Sequence, residues 1–156
     1  MNKKTITTLA LVFFTLALSL NAAAQRTKNQ LEKVWYNQEK TSKIEIYLAK
    51  DGKYYGKIIW LSEPNDKETG KAKLDKHNPE KNQRSNPVLG MINLKGYSAD
   101  AKDANLYTGG TIYDPRDGKT YCGKITYKGN TLDLRGFICA LPFLGKTNVW
   151  TLAEGQ

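Results

Sequence analysis

Histidine is almost missing from this 156-residue chain, where His77 stands alone. A zinc site would therefore have to be built largely from carboxylates, which is uncommon. No serine elbow or oxyanion motif accompanies His77 to make a hydrolytic triad, and it reads as a solvent-exposed loop residue. Cysteine is nearly as scarce: Cys122 and Cys139 are the only two, and their spacing is not the Cys-x-x-Cys of a redox centre. Lys and Arg number 24 against 15 Asp and Glu, yet no run of five or six like charges appears beyond the N-terminal segment. The lysines are scattered and often sit beside acids, as in Lys50-Asp51 and Asp66-Lys67-Glu68. A nucleic-acid partner is not expected, nor is a metal or a cofactor. No stretch has the spacing of a convincing amphipathic helix.

What is present begins with a targeting pattern. Lys3 and Lys4 precede an almost wholly apolar run from Ile6 to Leu20, and Ala22-Ala23-Ala24 supplies the small residues that a signal peptidase reads. The run is short of the ~20 residues of a comfortable membrane span. The expectation is a signal peptide over residues 1–24, cleaved after Ala24, and a periplasmic or secreted protein that does not span the membrane. Removing 24 of the 156 residues leaves 132, and loss of Lys3 and Lys4 lowers the formal charge from +9 to +7. That length suits a single domain with a real core. Residues 25–32 form a short polar lead-in, and residues 33–156 form the domain.

Two-residue alternation dominates that domain. Ile44, Ile46 and Leu48 fall on one side of their segment, with Lys43, Glu45 and Tyr47 on the other. Asp51-Gly52 is a strong hairpin signal. It leads into Tyr54–Leu61, where Gly56, Ile58 and Trp60 share a face. Order returns at Val88, and Ile92 and Leu94 alternate with Asn93 and Lys95 in an arm that ends near Gly96-Tyr97; further arms follow at Leu106–Tyr113, Thr120–Tyr127, Thr131–Cys139 and Lys146–Leu152. Between two of them, Asp114-Pro115-Arg116-Asp117-Gly118 has turn chemistry. About eight short strands in meander order predict an all-β, antiparallel fold that closes into a small barrel and so removes both exposed edges. Glycines 56, 90, 96, 110, 123 and 136 within the arms fit close backbone approach in a tightly curved sheet. One long polar loop, residues 62–86, interrupts the meander, and loops of that length are typically lids, binding segments or disordered.

Gly109-Gly110-Thr111-Ile112-Tyr113-Asp114-Pro115 with Asp117-Gly118-Lys119-Thr120-Tyr121 resembles the central motif of a bacterial exported family catalogued as domain of unknown function 2147. Asp75, Asn78-Pro79, Arg84-Ser85 and Pro87–Ile92 are similar to its preceding motif. Leu134-Arg135-Gly136-Phe137 and Leu144-Gly145-Lys146-Thr147 with Trp150 are similar to its closing one. Val34 stands where that family often has glycine, and Lys146 where arginine is usual. The resemblance implies an exported, barrel-like domain without a settled activity. Trp35 near the first strand and Trp150 in the last also resemble the arrangement in lipocalin-like barrels, a likeness of architecture only.

A barrel of eight strands is just wide enough for side chains or one small ligand. Trp35, Trp60, Tyr107, Tyr113, Tyr121, Tyr127 and Trp150 supply ring surface either to fill the interior or to line a pocket. The candidate ligand contacts are Tyr113, Tyr121 and Trp150, with Asp75, Asn78 and Arg84 from the long loop. Arg84 is the arginine best placed to hold an anionic group, whereas Arg135 faces outward beside Asp133. Asp114 and Asp117 are explained by the turn that contains them. A turn at Gly129-Asn130 pairs Cys122 with Phe137. Cys139 is then diagonal to Cys122, with Cβ atoms ~7 Å apart where a disulfide needs ~3.8 Å. The bond forms only if a bulge near Gly136 closes that gap; an exported location permits it, and otherwise the two stay free thiols. The reading is a non-enzymatic binding protein for a small apolar or amphipathic molecule or an envelope component. The alternatives are an interaction module for a protein or polysaccharide and an envelope hydrolase using Asp75, His77 or Asp114.

Overall fold

The computed structural model describes residues 30–153; the expected signal peptide and most of the expected polar lead-in lie outside them. Eight strands follow in order: β1 (Val34–Tyr36), β2 (Ser42–Leu48), β3 (Tyr54–Leu61), β4 (Ile92–Ala99), β5 (Leu106–Asp114), β6 (Lys119–Tyr127), β7 (Thr131–Ile138) and β8 (Leu141–Leu152). Each pairs antiparallel with the next, and β8 returns to β1 to close the barrel. The register follows from the turns. Tyr127 faces Leu132 and Cys122 faces Phe137 across the Gly129-Asn130 turn. Gly109 (φ 75°) takes up an irregularity in β5 that a residue with a Cβ would enter only under strain.

The meander gives the barrel two unlike ends. At one end, Trp35, Tyr54, Tyr97, Tyr107 and Leu132 are buried and fill the interior. Tyr54 and Tyr107 meet edge to face at 5.2 Å, and the Trp35 indole donates to the Leu31 carbonyl at 3.1 Å. Tyr97 lies where Gly110 and Gly123 leave room for it; a Cβ at either would overlap the Tyr97 ring or hydroxyl. Burial pushes the Tyr54 phenol up to about 12 and holds Tyr97 above its ordinary range as well. These rings stay neutral, which suits a core.

One face and three boundaries differ from the expectation. Trp60 does not share a face with Gly56 and Ile58. Lys43 pairs with Trp60 but Ile44 with Ile58, so Ile59 is an extra residue on β3. One extra residue flips everything after it to the other face. Trp60 is thus 39% exposed and packs outside against Tyr36. The last arm begins at Leu141 rather than Lys146, and the preceding one ends at Ile138, leaving Cys139 in the turn. The long loop runs over 62–91, beyond the expected 62–86, because β4 starts only at Ile92. It is not unstructured: bridges Asn65–Ala72 and Leu74–Pro87 and a short 3-10 turn, Lys81–Gln83, organise it.

The Cys122–Cys139 disulfide is formed, with Cα atoms 5.0 Å apart. Continued strand geometry would leave Cys139 diagonal to its partner. The ladder shifts register between Phe137 and Ile138 instead, and Ile138 pairs with Leu141 around a two-residue turn. That bend carries Cys139 toward β6.

Candidate functional site

The barrel's second end is open. Inward positions at the ends of β3, β5 and β7 and at the starts of β2, β4, β6 and β8 surround a cavity of about 1150 Å³. Ile44, Ile58, Ile112, Leu134 and Trp150 are its apolar residues nearest the filled core. Towards the mouth the lining turns polar, with Ser42, Asn148, Tyr121 and Lys146. Volumes of this order hold small-molecule ligands. Period-two alternation explains the lining: Leu134 and Gly136 on β7 face the same way, as do Lys146, Asn148 and Trp150 on β8.

Gly136 shapes this cavity differently from Gly110 and Gly123. A Cβ there would meet Ile112 and Tyr121 at ordinary contact distances of 3.6 and 3.7 Å. The position opens space rather than admitting a neighbouring ring.

Charge at the mouth is largely paired. Arg116 clasps Asp114 through Nε and Nη2 at 2.9 and 2.7 Å. Burial acts to raise the Asp114 carboxyl, but the Arg116 contacts outweigh it and hold it below its ordinary value. Lys73 reaches Glu63 and Lys76 reaches Asp66. Lys146 lines the mouth without an ion pair among the described residues. Asn93 is 7% exposed and borders the cavity, and its Oδ1 has no hydrogen-bond partner among the described residues. A buried amide oxygen left bare costs stability unless something donates to it.

The long loop folds beside this mouth. Asp75, 1% exposed, accepts from the Tyr113 hydroxyl at 2.7 Å and from the Asn78 amide at 2.6 Å. Burial first, and then the bond to Asp75, pushes the Tyr113 phenol well above its ordinary value. Arg84 Nε donates to the Asn78 carbonyl at 2.7 Å. The loop also packs its His77 carbonyl against Gly118 (φ 70°), leaving no space for a side chain there. A second hollow of about 620 Å³ lies beneath the loop, bordered by Asp75, Asn78, Gln83, Ile92, Asn93 and Tyr113.

The six expected contact residues therefore divide. Tyr121 and Trp150 line the barrel cavity, Tyr113 borders both hollows, and Asp75 and Asn78 border the outer one. Arg84 borders neither and braces the loop. Tyr121 donates to Asp117 at 2.7 Å, which raises its phenol. Sequence reasoning passed over Asn93, Lys146, Asn148 and Gly136. The last three share the alternation of Trp150 and Leu134 and were legible in principle. Asn93 gave no signal, because simple alternation sets it on the polar face of β4. Among the described residues, no three His, Cys, Asp or Glu side chains gather closely enough to hold a metal ion.

Asp75 makes the loop testable. Asp75→Ala should cost about 1.5–3 kcal/mol, since it strands the Tyr113 hydroxyl and the Asn78 amide. Hydrogen exchange should rise over 62–91 while β6 and β7 stay protected. Unchanged exchange in the loop would mean that Asp75 does not hold it.

A family model described as "Uncharacterized protein conserved in bacteria (DUF2147)" matches residues 34–152. A solved structure, protein HP1028 from Helicobacter pylori, described as belonging to the lipocalin family, is similar at 27% identity with a TM-score of 0.67. The alignment covers 80% of this chain and 83% of that one. No curated protein matches the chain.

Proposed function

The chain belongs to the bacterial family DUF2147, and from its lipocalin-like barrel we propose that it is a non-enzymatic carrier of one small amphipathic molecule. The observation that carries this reading is the division of the barrel into a filled end and an open cavity of about 1150 Å³. The apolar part of the ligand sits against Ile44, Ile58, Ile112, Leu134 and Trp150. Its polar head lies near the mouth, where Asn93 Oδ1 accepts a hydrogen bond and Lys146 supplies a positive charge that has no ion pair among the described residues. Transfer of apolar surface from water at ~25 cal/mol per Å² drives the binding, and the polar contacts set its orientation.

The hydrolase alternative finds little support in the same geometry. Asp75 gives its two oxygens to Tyr113 and Asn78, and Asp114 gives both of its own to Arg116. Neither is left as a free base. The pattern of residues 1–24 supports an exported location, and so does a disulfide, which persists in oxidising compartments.

Protein purified without denaturation from its native host, extracted with organic solvent and analysed by mass spectrometry, should release one class of small amphiphile in near-equimolar amount. Lys146→Gln should reduce that yield. Extracts indistinguishable from those of a solidly packed control protein would count against a carrier.

A further inference from the structure

We propose that the β7–β8 tip, Ile138 to Leu144, is a docking element that inserts into an anionic lipid surface. Phe137 to Leu144 is a continuous run without a charge or a strongly polar side chain. Inside the barrel such a run would be buried. Here Ile138, Leu141, Phe143 and Leu144 are all exposed, with Phe143 at 74%. Phe137 pairs with Gly145 and Ile138 with Leu141, so Pro142, Phe143 and Leu144 bulge out of the ladder. An exposed apolar cluster of this kind marks an interaction surface.

The tip is held in place. The Cys122–Cys139 bond ties its base to β6. Arg135 Nη2 donates to the carbonyls of Pro142 and Phe143 at 3.2 and 3.4 Å, bracing the bulge from behind. At Gly145 a Cβ would come within 2.6 Å of the Phe137 Cβ, so the two strands stay close just below the bulge.

Charge and shape choose the partner. From Leu134 to Ala153 the only charged residues are Arg135 and Lys146, both cations. Arg135 pairs in register with Lys124 on β6, setting two positive groups side by side without an acid between them. The chain from Gln25 onward carries +7. An apolar tip with Arg135 braced against it and Lys124 beside Arg135 complements anionic headgroups over acyl chains. Addition of a partner strand is disfavoured: β1 reaches only Thr151 and Leu152 of β8, and the edge left beyond it carries Pro142 and the cavity-lining Lys146, both devices that block edge pairing. Four side chains are also far fewer than the ~20–30 residues per side of a stable dimer. Ile138 and Leu144 border the cavity mouth, so docking would present that mouth to the lipid. The docking claim stands without any assumption about what the cavity holds.

The test is flotation of the chain from Gln25 onward, whose barrel closes within Val34–Leu152, with vesicles of phosphatidylcholine alone or with phosphatidylglycerol. The protein should float with the phosphatidylglycerol vesicles, less so at high salt. Phe143→Asp should reduce flotation roughly tenfold or more, and Phe143→Trp should restore it with a blue-shifted emission on binding. Unfolding midpoints of both variants guard against misfolding. Absence of wild-type flotation, or equal flotation of Phe143→Asp, overturns the proposal. So does a wild-type dimer that Phe143→Asp dissociates without any vesicle binding, which would assign the tip to a second copy of the chain.

Discussion

Replacing Gly123 with alanine should lower the stability of the barrel by about 1–3 kcal/mol, the usual penalty for overpacking a filled interior. The cause is steric and specific. A methyl at Gly123 would overlap the Tyr97 hydroxyl, whereas a methyl at Gly110 would overlap the Tyr97 ring itself. Neither glycine has a positive φ, so backbone strain makes no contribution. The Tyr97 hydroxyl is buried without a hydrogen-bond partner among the described residues, so Tyr97→Phe alone should be neutral or stabilising by up to ~1 kcal/mol. In the Tyr97→Phe background the Gly123→Ala penalty should shrink, because the overlapping oxygen has gone and only ring carbons at 3.0 and 3.3 Å remain near the methyl. Gly110→Ala should keep its full penalty there. Urea unfolding of the two double mutants checks both statements. Equal rescue of both glycines would show that the ring repacks freely, against the geometry.

Loss of the disulfide should cost a comparable amount. Cys122 and Cys139 are 17 residues apart, and closing a loop of that size stabilises by about 3 kcal/mol through the unfolded chain. The double variant Cys122→Ser, Cys139→Ser should therefore unfold at markedly lower urea, as should the reduced wild type. Its native state should differ chiefly at the tip. Hydrogen exchange should quicken over Phe137–Gly145 and leave the Trp35, Tyr97 and Tyr107 end unchanged. Wild type and double variant unfolding at the same urea concentration would mean that the bond adds nothing beyond the ladder it joins.

Much of this architecture is written locally. The Asp51-Gly52, Asp117-Gly118 and Gly129-Asn130 turns fix hairpin register, and alternation then assigns each side chain to a face. Cys122 opposite Phe137 and Tyr127 opposite Leu132 follow from that rule alone. Illegible features are those that break period two or depend on distant residues. Ile59 is an extra residue that nothing in Lys57-Ile58-Ile59-Trp60-Leu61 announces, and it turns Trp60 outward. The start of β8 was hidden because Leu141-Pro142-Phe143-Leu144 does not alternate. The order of the long loop depends on Asp75 meeting Tyr113, 38 residues away, and no local pattern records such a contact.

The same distinction governs the candidate site. Alternation says that Leu134, Gly136 and Trp150 point inward, but not which level of the barrel each reaches. Register supplies the level. It sets Tyr97 and Tyr107 together at the filled end and leaves Gly136, Asn148 and Lys146 around the open one. Asp75, Asn78 and Arg84 stood out as a dense polar group, and the structure engages all three in holding the loop beside the mouth.

The carrier function depends on the open half of the barrel being a container, not simply a surface depression. The direct measurement is a titration with anilinonaphthalene sulfonate, an anionic amphiphilic dye, comparing wild type with Gly136→Trp, a position where a Cβ meets only side-chain atoms at ordinary contact distances. One saturable dye site per barrel, displaced by dodecanoate and weakened roughly tenfold or more in a variant whose urea midpoint is unchanged, is the predicted result. Non-saturable binding, or equal affinity in the two proteins, would contradict it.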